Sequence, residues 1–530
     1  MDDPGDWLLS AEERGNPATA LPAWTAGNLV APLVHGATYF DRLVEEVEAL
    51  RAGDHLFFAD WRGDPDERLR DDGPTVAQLF SAAGHRGVCV RGLVWRSHWD
   101  KLSFSKAENR ALDVEIEHAG GEVILDQRVR RGGSHHQKFV VLRHAGDPSR
   151  DVAFAGGIDL CHSRRDDAGH LGDPQRQPMS AAYGPRPPWH DVQLELRGPT
   201  VGVLDTVFRE RWNDPDSADT DHPIAWVRDK LHHSRMEGDP LPPELPSPPE
   251  RGPHHVQQLR TYPTVRPPYR FAPAGERSVA RGYTKAIRRA RRLIYLEDQY
   301  MWSTEVARLF ATALTDEPGL QLVVVVPRIP DQDGAVSRRP QYVGRWQAIE
   351  TCRRAGPDRV HVFDVENPEG TPVYVHAKVC VVDDTWASVG SDNVNRRSWT
   401  HDSELSSAVL DTTRDPREPR DPRGTGEGAR TFARDLRLEL AREHLDRATD
   451  GTHDGDLLDP DRFVTALHDS AQALEDWHAG GRRGTRPPGR LRFHRPEQLS
   501  LPTRAWATPL YRLLEDPDGR PLRERLRRDF

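Results

Sequence analysis

Two short stretches set a histidine two residues ahead of a lysine. "GGSHHQKFVVL" carries His136 and Lys138, and "PVYVHAKVCVVDD" carries His376 and Lys378. Lysine is scarce, six residues among 73 basic ones, so wherever a generic cation suffices the chain uses arginine. With 24 histidines, chance supplies about 0.3 His-x-Lys occurrences, and two are present at matching places. Each pair enters an apolar run with strand character, and in a strand residues i and i+2 share a face. Two imidazoles and two ammonium groups lining one cleft suit phosphodiester cleavage. One histidine attacks phosphorus, the other protonates the departing oxygen, and the lysines stabilise charge growing on the non-bridging oxygens.

Each imidazole needs a partner that fixes its tautomer. Asp191 in "WHDVQLEL" and Glu404 in "HDSELSSAVL" stand at equivalent strand mouths and are expected to pair crosswise between the halves. Ser391 and Asn393 in "GSDN" are expected to bind a phosphoryl oxygen through hydroxyl and amide. The first half reads "GGID" there, placing Asp159 opposite Asn393, so the phosphate is gripped unequally. His135 is expected to face away and be structural. The segment "CHSRRDDAGH" (161–170) holds metal-type side chains in no standard zinc spacing and reads as a polar rim loop; no metal or other cofactor is expected. Trp189, Tyr300 and Trp302 fit equally a core or a wall for a quaternary ammonium group.

The elements that must position these residues repeat. A helical pattern followed by an apolar strand occurs at 43–60 and again at 279–298. "GVCVRGLVW" is matched by "GLQLVVVVP", "GGEVILD" by "PDRVHVFD", and "VAFAGGIDL" by "WASVGSDNV". The succession implies a duplicated α/β protein: two tandem α/β/α sandwich halves related by a pseudo-twofold axis, with mostly parallel sheets. The proline-rich stretch 236–255 separates them. The expected division is 1–250, 251–416, and a helical and loop extension over 417–530 that packs on the second half.

These residues resemble the phospholipase D superfamily, whose hallmark is His-x-Lys-x4-Asp, usually twice in one chain. The second copy is complete with His376, Lys378 and Asp383, followed by Gly390, Ser391 and Asn393. In the first copy Arg143 stands where aspartate is expected, and Asp151, at the end of an inserted segment, is the candidate to compensate. "GGIDLC", "PWHDVQLELRGPTV" and "IYLEDQYMW" extend the likeness over about residues 30–445. The resemblance implies halves of phospholipase D type and a metal-independent, two-step reaction. His136 would be the nucleophile that forms a phosphohistidine, and His376 the acid and then the base. Asp383 would be structural support.

The bulk numbers narrow the substrate. A chain of 530 residues with net charge −10 and pI near 6.2 has no general basic field for nucleic acid. The four cysteines form no CxxC pair and read as free thiols, and no apolar run nears a membrane span. The expectation is a cytoplasmic monomer, peripheral at a membrane, that hydrolyses phosphatidylcholine or a similar phospholipid to phosphatidic acid, with transfer to alcohols as a further capacity. A nuclease, a phosphatidyltransferase of the cardiolipin synthase kind, and a lipid-binding scaffold with a degenerate first site are the alternatives.

Overall fold

The structure, a computed structural model, describes residues 3–97, 106–214, 238–331, 335–497, 499–527 and 530. Residues 236–237 of the proline-rich stretch lie outside these, and from 238 to 253 it runs without regular structure. The first half contributes β1 (Thr25–Val34), β2 (His55–Asp60), β3 (Cys89–Trp95), β4 (Glu122–Asp126), β5 (Phe139–Arg143), β6 (Val152–Gly156), β7 (Trp189–His190) and β8 (Val192–Arg197). The second contributes β9 (His254–Tyr262), β10 (Glu276–Arg277), β11 (Leu293–Asp298), β12 (Gln321–Val325) and β13 (Val360–Val365). Then follow β14 (Tyr374–Val375), β15 (Lys378–Val382), β16 (Trp386–Gly390) and β17 (Glu404–Asp411), with β18 (Leu491–Phe493) nearer the C-terminus.

One hydrogen-bonded path joins fifteen of them in the order β4-β3-β2-β5-β6-β8-β1-β9-β17-β16-β15-β11-β12-β13-β18, with β10 branching from β9 and β7 paired to β14 in a separate sheet. Apart from β18, the order is the same read outward from either side of the β1–β9 seam, so the duplication inferred from sequence is a duplication of topology. The α/β class holds, but the pairing is less parallel than expected. Along this path only the outer three strands of each half, β2-β3-β4 and β11-β12-β13, pair in parallel, and its other contacts are antiparallel. The cause is connection length. Crossover helices such as Val76–His85 and Thr304–Asp316 separate the parallel strands. Short links, residues 144–151 and 383–385, join β5 to β6 and β15 to β16, and these permit only a reversal.

The inner faces of both halves share one core. Phe57, Val141 and Leu194 meet Val323, Val381 and Val389, together with Leu436 and Phe463 from the helices Thr431–His444 and Pro460–Ala479. Outer helices cover each half separately, through Phe40, Leu43 and Phe80 on one side and Ile287 and Phe310 on the other. Hence β2 is buried at all six positions, as a strand covered on both faces must be. The chain ends cross over: Trp7, Leu8 and Leu9 pack in the outer core of the second half, and the helix Thr431–His444 reaches the first half through Glu443.

Candidate active site

Each His-x-Lys loop docks on the other half. His136 N donates to Ser403 O at 2.9 Å, and His376 N and Ala377 N donate to His190 O at 2.8 and 3.2 Å. The two contacts are equivalents: His135 bridges Ser403 in parallel, as Val375 pairs with His190 where β14 meets β7. In both cases the next residue along the receiving strand is a carboxylate. Glu404 Oε2 lies 2.8 Å from His136 Nδ1, and Asp191 Oδ2 lies 2.6 Å from His376 Nδ1. With Nδ1 occupied, Nε2 of each ring is left for chemistry. Neither His136 nor Lys138 belongs to a strand, since β5 begins at Phe139, whereas Lys378 opens β15.

The lysines are held alike: Lys138 Nζ donates to His136 O at 3.0 Å, and Lys378 Nζ donates to His376 O and, at 3.3 Å, to Gln299 Oε1. Lys378 also lies 3.0 Å from His376 Nδ1, but that atom has one proton and Asp191 accepts it. Burial, then Lys378 and Arg164, keep His376 well below the usual imidazole range. Lys378 is pushed down to about 8 by burial, against the pull of Asp191 and with the added push of Lys138. The Lys138 charge therefore acts on both members of the second pair, and contacts link the two: Lys138 meets Asp159, Asp159 meets Arg164, and Arg164 stacks on the Trp189 ring beside His376.

Asp159 sits 3.2 Å from Lys138 and 3.3 Å from Arg164. Burial favours its neutral form, but these cations outweigh that and keep it ionised. It is a counter-ion rather than an open phosphate ligand. Ser391 also departs from expectation. Its hydroxyl donates to Glu404 Oε2 at 2.5 Å and accepts from Leu405 N at 3.0 Å, so its one proton orients a carboxylate and is not offered to phosphate. The first half has Gly157 at that place, where a Cβ would lie 2.2 Å from Asp191 Oδ1. The shorter aspartate fills the space that serine occupies beside Glu404. Asn393 is buried and its Oδ1 has no hydrogen-bond partner. His135 is buried, with Nδ1 2.9 Å from Ser403 Oγ, and burial brings it down to about 3.

Around the pairs, the Trp189 ring stands 4.9 Å from His376 and Trp61 stands 6.2 Å from His136. Arg164 stacks on Trp189 at 3.9 Å. Tyr300 and Trp302 stack on each other at 3.9 Å, with Trp302 buried against Tyr511. Sequence reasoning passed over Gln299, which bridges Lys378 and the Tyr374 hydroxyl, and Gln137, which donates to Glu404 O at 3.0 Å.

Asp383 accepts from Arg291 N, Arg292 N and Leu293 N at 2.7 to 2.8 Å, tying the turn after β15 to the start of β11. In the first half the tie runs the other way. Asp54, just before β2, accepts from Ala145 N at 2.9 Å, after β5. Arg143 is buried instead between Asp151 at 2.7 Å and Asp205 at 2.6 Å, so Asp151 balances the arginine and Asp54 supplies the tie. Arg143→Met is expected to cost about 3–5 kcal/mol of stability by taking its arginine from buried Asp151, while Asp205 keeps Arg209 at 2.7 Å, with activity per folded molecule changed little. Urea unfolding monitored beside an active-site titration checks both parts.

A buried network lies behind the site. Glu443 accepts from His35 at 2.6 Å, His170 at 2.9 Å and His190 at 3.2 Å. The far nitrogen of His190 meets Glu297 at 2.6 Å, and Glu297 also meets His444 at 2.7 Å. Burial opposes a charge on His190, but Glu297 and Glu443 outweigh it and raise its proton affinity well above the ordinary value. Three imidazoles and a carboxylate converging in this way are a donor set able to hold a first-row transition ion, with Glu297 and Asp166 as outer carboxylates. No spacing within 161–170 could show this, since the donors come from four separate stretches.

Residues 70–239 match the family model described as Phospholipase D, and residues 283–414 the one described as Cardiolipin synthase, PLD-like domain. The chain is 24% identical to phospholipase D alpha 1 of Cynara cardunculus, over 65% of this chain and 56% of that protein. It is 25% identical to phospholipase D alpha 2 of Oryza sativa subsp. japonica, over 79% and 63%, and 27% identical to phospholipase D alpha 1 of Vigna unguiculata, over 63% and 54%. It thus spans little more than half the length of these curated relatives. Among solved structures, phosphatidylserine synthase of Haemophilus influenzae Rd KW20 shares the fold, with a TM-score of 0.51 at 12% identity over 76% of this chain and 86% of that one. Each half of the duplication is matched over the region that carries its own His-x-Lys pair, and the chain belongs to the phospholipase D superfamily.

Proposed function

We propose that the protein is a phosphodiesterase of phospholipase D type. It hydrolyses a glycerophospholipid, phosphatidylcholine or a close analogue, to phosphatidic acid and free headgroup, and it transfers the phosphatidyl group when an alcohol competes with water. The observation that carries this reading is the crossed pairing of each reactive imidazole with a carboxylate from the other half, around Lys138 and Lys378.

In the first step His136 Nε2 forms a bond to phosphorus while the bond to the headgroup oxygen breaks, and that oxygen takes a proton from His376 Nε2. In the second step His376 takes a proton from water, the hydroxide displaces His136, and phosphatidic acid leaves. His376 is neutral in the empty site because burial and two nearby cations disfavour its charge. An arriving phosphodiester anion raises its proton affinity and readies it as the acid. The same neutrality would suit exchanged roles, with His376 attacking; mapping the trapped phosphohistidine distinguishes them. The protein works on a membrane surface; among the described residues no helix is long and apolar enough to cross one.

The deciding experiment is a headgroup-release screen over a phospholipid panel with ethanol present. Free headgroup plus phosphatidylethanol supports the reading. Turnover of plasmid DNA with no release from any phospholipid overturns it. The match of 283–414 to a cardiolipin synthase description supports a second reading, in which the alcohol acceptor is phosphatidylglycerol; product analysis with that lipid separates the two.

The pH profile carries a further expectation. Lys378 stabilises phosphoryl oxygens only as a cation, and its proton is lost as pH rises through about 8. On a soluble phosphodiester, kcat/KM is therefore expected to hold below that pH and fall above it. In Lys378→Arg, whose charge persists, the alkaline limb should disappear even if the plateau is lower.

A further inference from the structure

Among the described residues, nine large apolar side chains are exposed, and six of them, Leu501, Trp506, Leu513, Leu514, Leu522 and Leu526, lie within residues 501–526. The helix Leu501–Leu510, the turn Tyr511–Glu515 and the helix Leu522–Arg527 carry them. Leu513 and Leu514 are 71% and 64% exposed, Leu522 and Leu526 72% and 77%. Leucines so exposed in a chain whose core is otherwise well filled mark a contact surface.

The charges of this segment are sorted by side. Arg512, Arg523 and Arg527 are exposed, whereas Arg525, though exposed, turns its guanidinium back onto Arg520 O and Asp518 O. The acids turn inward: Asp516 is buried and accepts from Arg397 N and the Tyr511 hydroxyl, Asp518 pairs with Arg520, and Glu524 pairs with Arg277. Glu515 is half-buried, where Arg397 opposes the rise that burial gives it. The outward face is leucine and arginine, on a chain of net charge −10. The segment is also fixed beside the site. Arg397 donates to Leu514 O at 3.0 Å and to Gly132 O at 2.7 Å, and Arg130 donates to Gly519 O at 3.0 Å. Gly132 and Arg130 belong to the loop that leads into His136.

We infer that residues 501–527 form an interfacial foot which seats the rim of the catalytic cleft on an anionic phospholipid surface, with the leucines entering the acyl boundary and the arginines meeting lipid phosphates. Apolar insertion combined with basic attraction is the chemistry of interfacial binding. The charge complementarity selects a membrane bearing phosphatidic acid over a neutral one, so the product of the proposed reaction would draw the enzyme to where it has acted. This rests on the phospholipid reading only for the identity of that product.

The test uses the full chain with sucrose-loaded vesicles of phosphatidylcholine, with and without phosphatidic acid, read by co-sedimentation. In parallel, hydrolysis of a soluble short-chain phosphatidylcholine is measured. The expected result is binding that strengthens with phosphatidic acid and weakens with salt. The Leu513→Asp/Leu514→Asp and Leu522→Asp/Leu526→Asp variants should each bind at least about tenfold less, with soluble hydrolysis unchanged. An Arg512→Glu/Arg523→Glu variant, which cannot disturb buried packing, should lose the phosphatidic acid preference alone. Soluble hydrolysis without vesicle binding overturns the foot and leaves the enzymatic reading standing. Vesicle binding without any hydrolysis does the reverse. If the chain is dimeric by light scattering and Leu513→Asp/Leu514→Asp makes it monomeric without changing vesicle binding, the surface belongs to a second copy and the inference fails.

Discussion

His136→Ala and His376→Ala are each expected to reduce steady-state turnover of a phospholipid by at least about 10⁴-fold, and the double variant is expected to be no worse than either alone. Residues that act as one unit in a covalent mechanism are strongly non-additive, because the first loss already closes the route that the second would block. The two single variants should nevertheless differ with an activated substrate. An aryl phosphodiester has a leaving group that needs no proton, so in His376→Ala the first step can proceed while nothing activates water for the second. A phosphohistidine should then accumulate and be recovered at His136 by peptide mapping. In His136→Ala no covalent species should form from any substrate. Accumulation in His136→Ala at position 376 would reverse the roles, a result that the low proton affinity of His376 in the empty site makes chemically reasonable. Accumulation in neither, with turnover retained in one, would remove the covalent route altogether.

The repeat made much of this arrangement legible. When a unit is duplicated about a twofold axis, the strand mouth of one copy comes to the motif of the other, and residues at equivalent positions acquire equivalent neighbours. Asp191 and Glu404 could be picked out from their shared place in the succession, without any knowledge of the distances. The α/β class was legible for the same reason, since strand and helix periodicities are local properties. What was not legible depended on details below the repeat. Whether β5 and β6 run parallel or antiparallel is set by a link of a few residues, and the alternating apolar pattern is the same in either case. Ser391 looks like a phosphate donor in sequence, and only the placement of Glu404 shows that its proton is already used. The missing motif aspartate at Arg143 is answered by Asp54, some 90 positions earlier, because β2 and β5 are paired and the tie can be made from either strand. The network on Glu443 draws on His35, His170 and His190 through tertiary contacts alone.

The two orienting carboxylates should respond differently to the same isosteric change, and the difference follows from where their donors sit. Asp191 uses both oxygens: Oδ2 meets His376 Nδ1 at 2.6 Å, and Oδ1 accepts from Val192 N at 2.9 Å. In Asp191→Asn the amide oxygen must stay with the buried Val192 N–H, which turns the NH₂ group toward His376. The ring then accepts at Nδ1 and carries its proton on Nε2, the wrong tautomer for a base, and turnover is expected to fall by about 10³–10⁴-fold, the scale seen when an orienting aspartate is amidated elsewhere. Glu404 receives both of its donors, His136 Nδ1 and the Ser391 hydroxyl, on Oε2, while Oε1 is buried without a partner. In Glu404→Gln the amide oxygen can take the Oε2 place and keep the tautomer of His136. Activity should fall only about 10–100-fold, through loss of the charge that stabilises the imidazolium, and stability by about 1–3 kcal/mol because the new NH₂ group lacks an acceptor. Nitrogen-15 chemical shifts of the two rings report the tautomers directly, and equal losses of activity with unchanged shifts would show that these carboxylates act by charge alone.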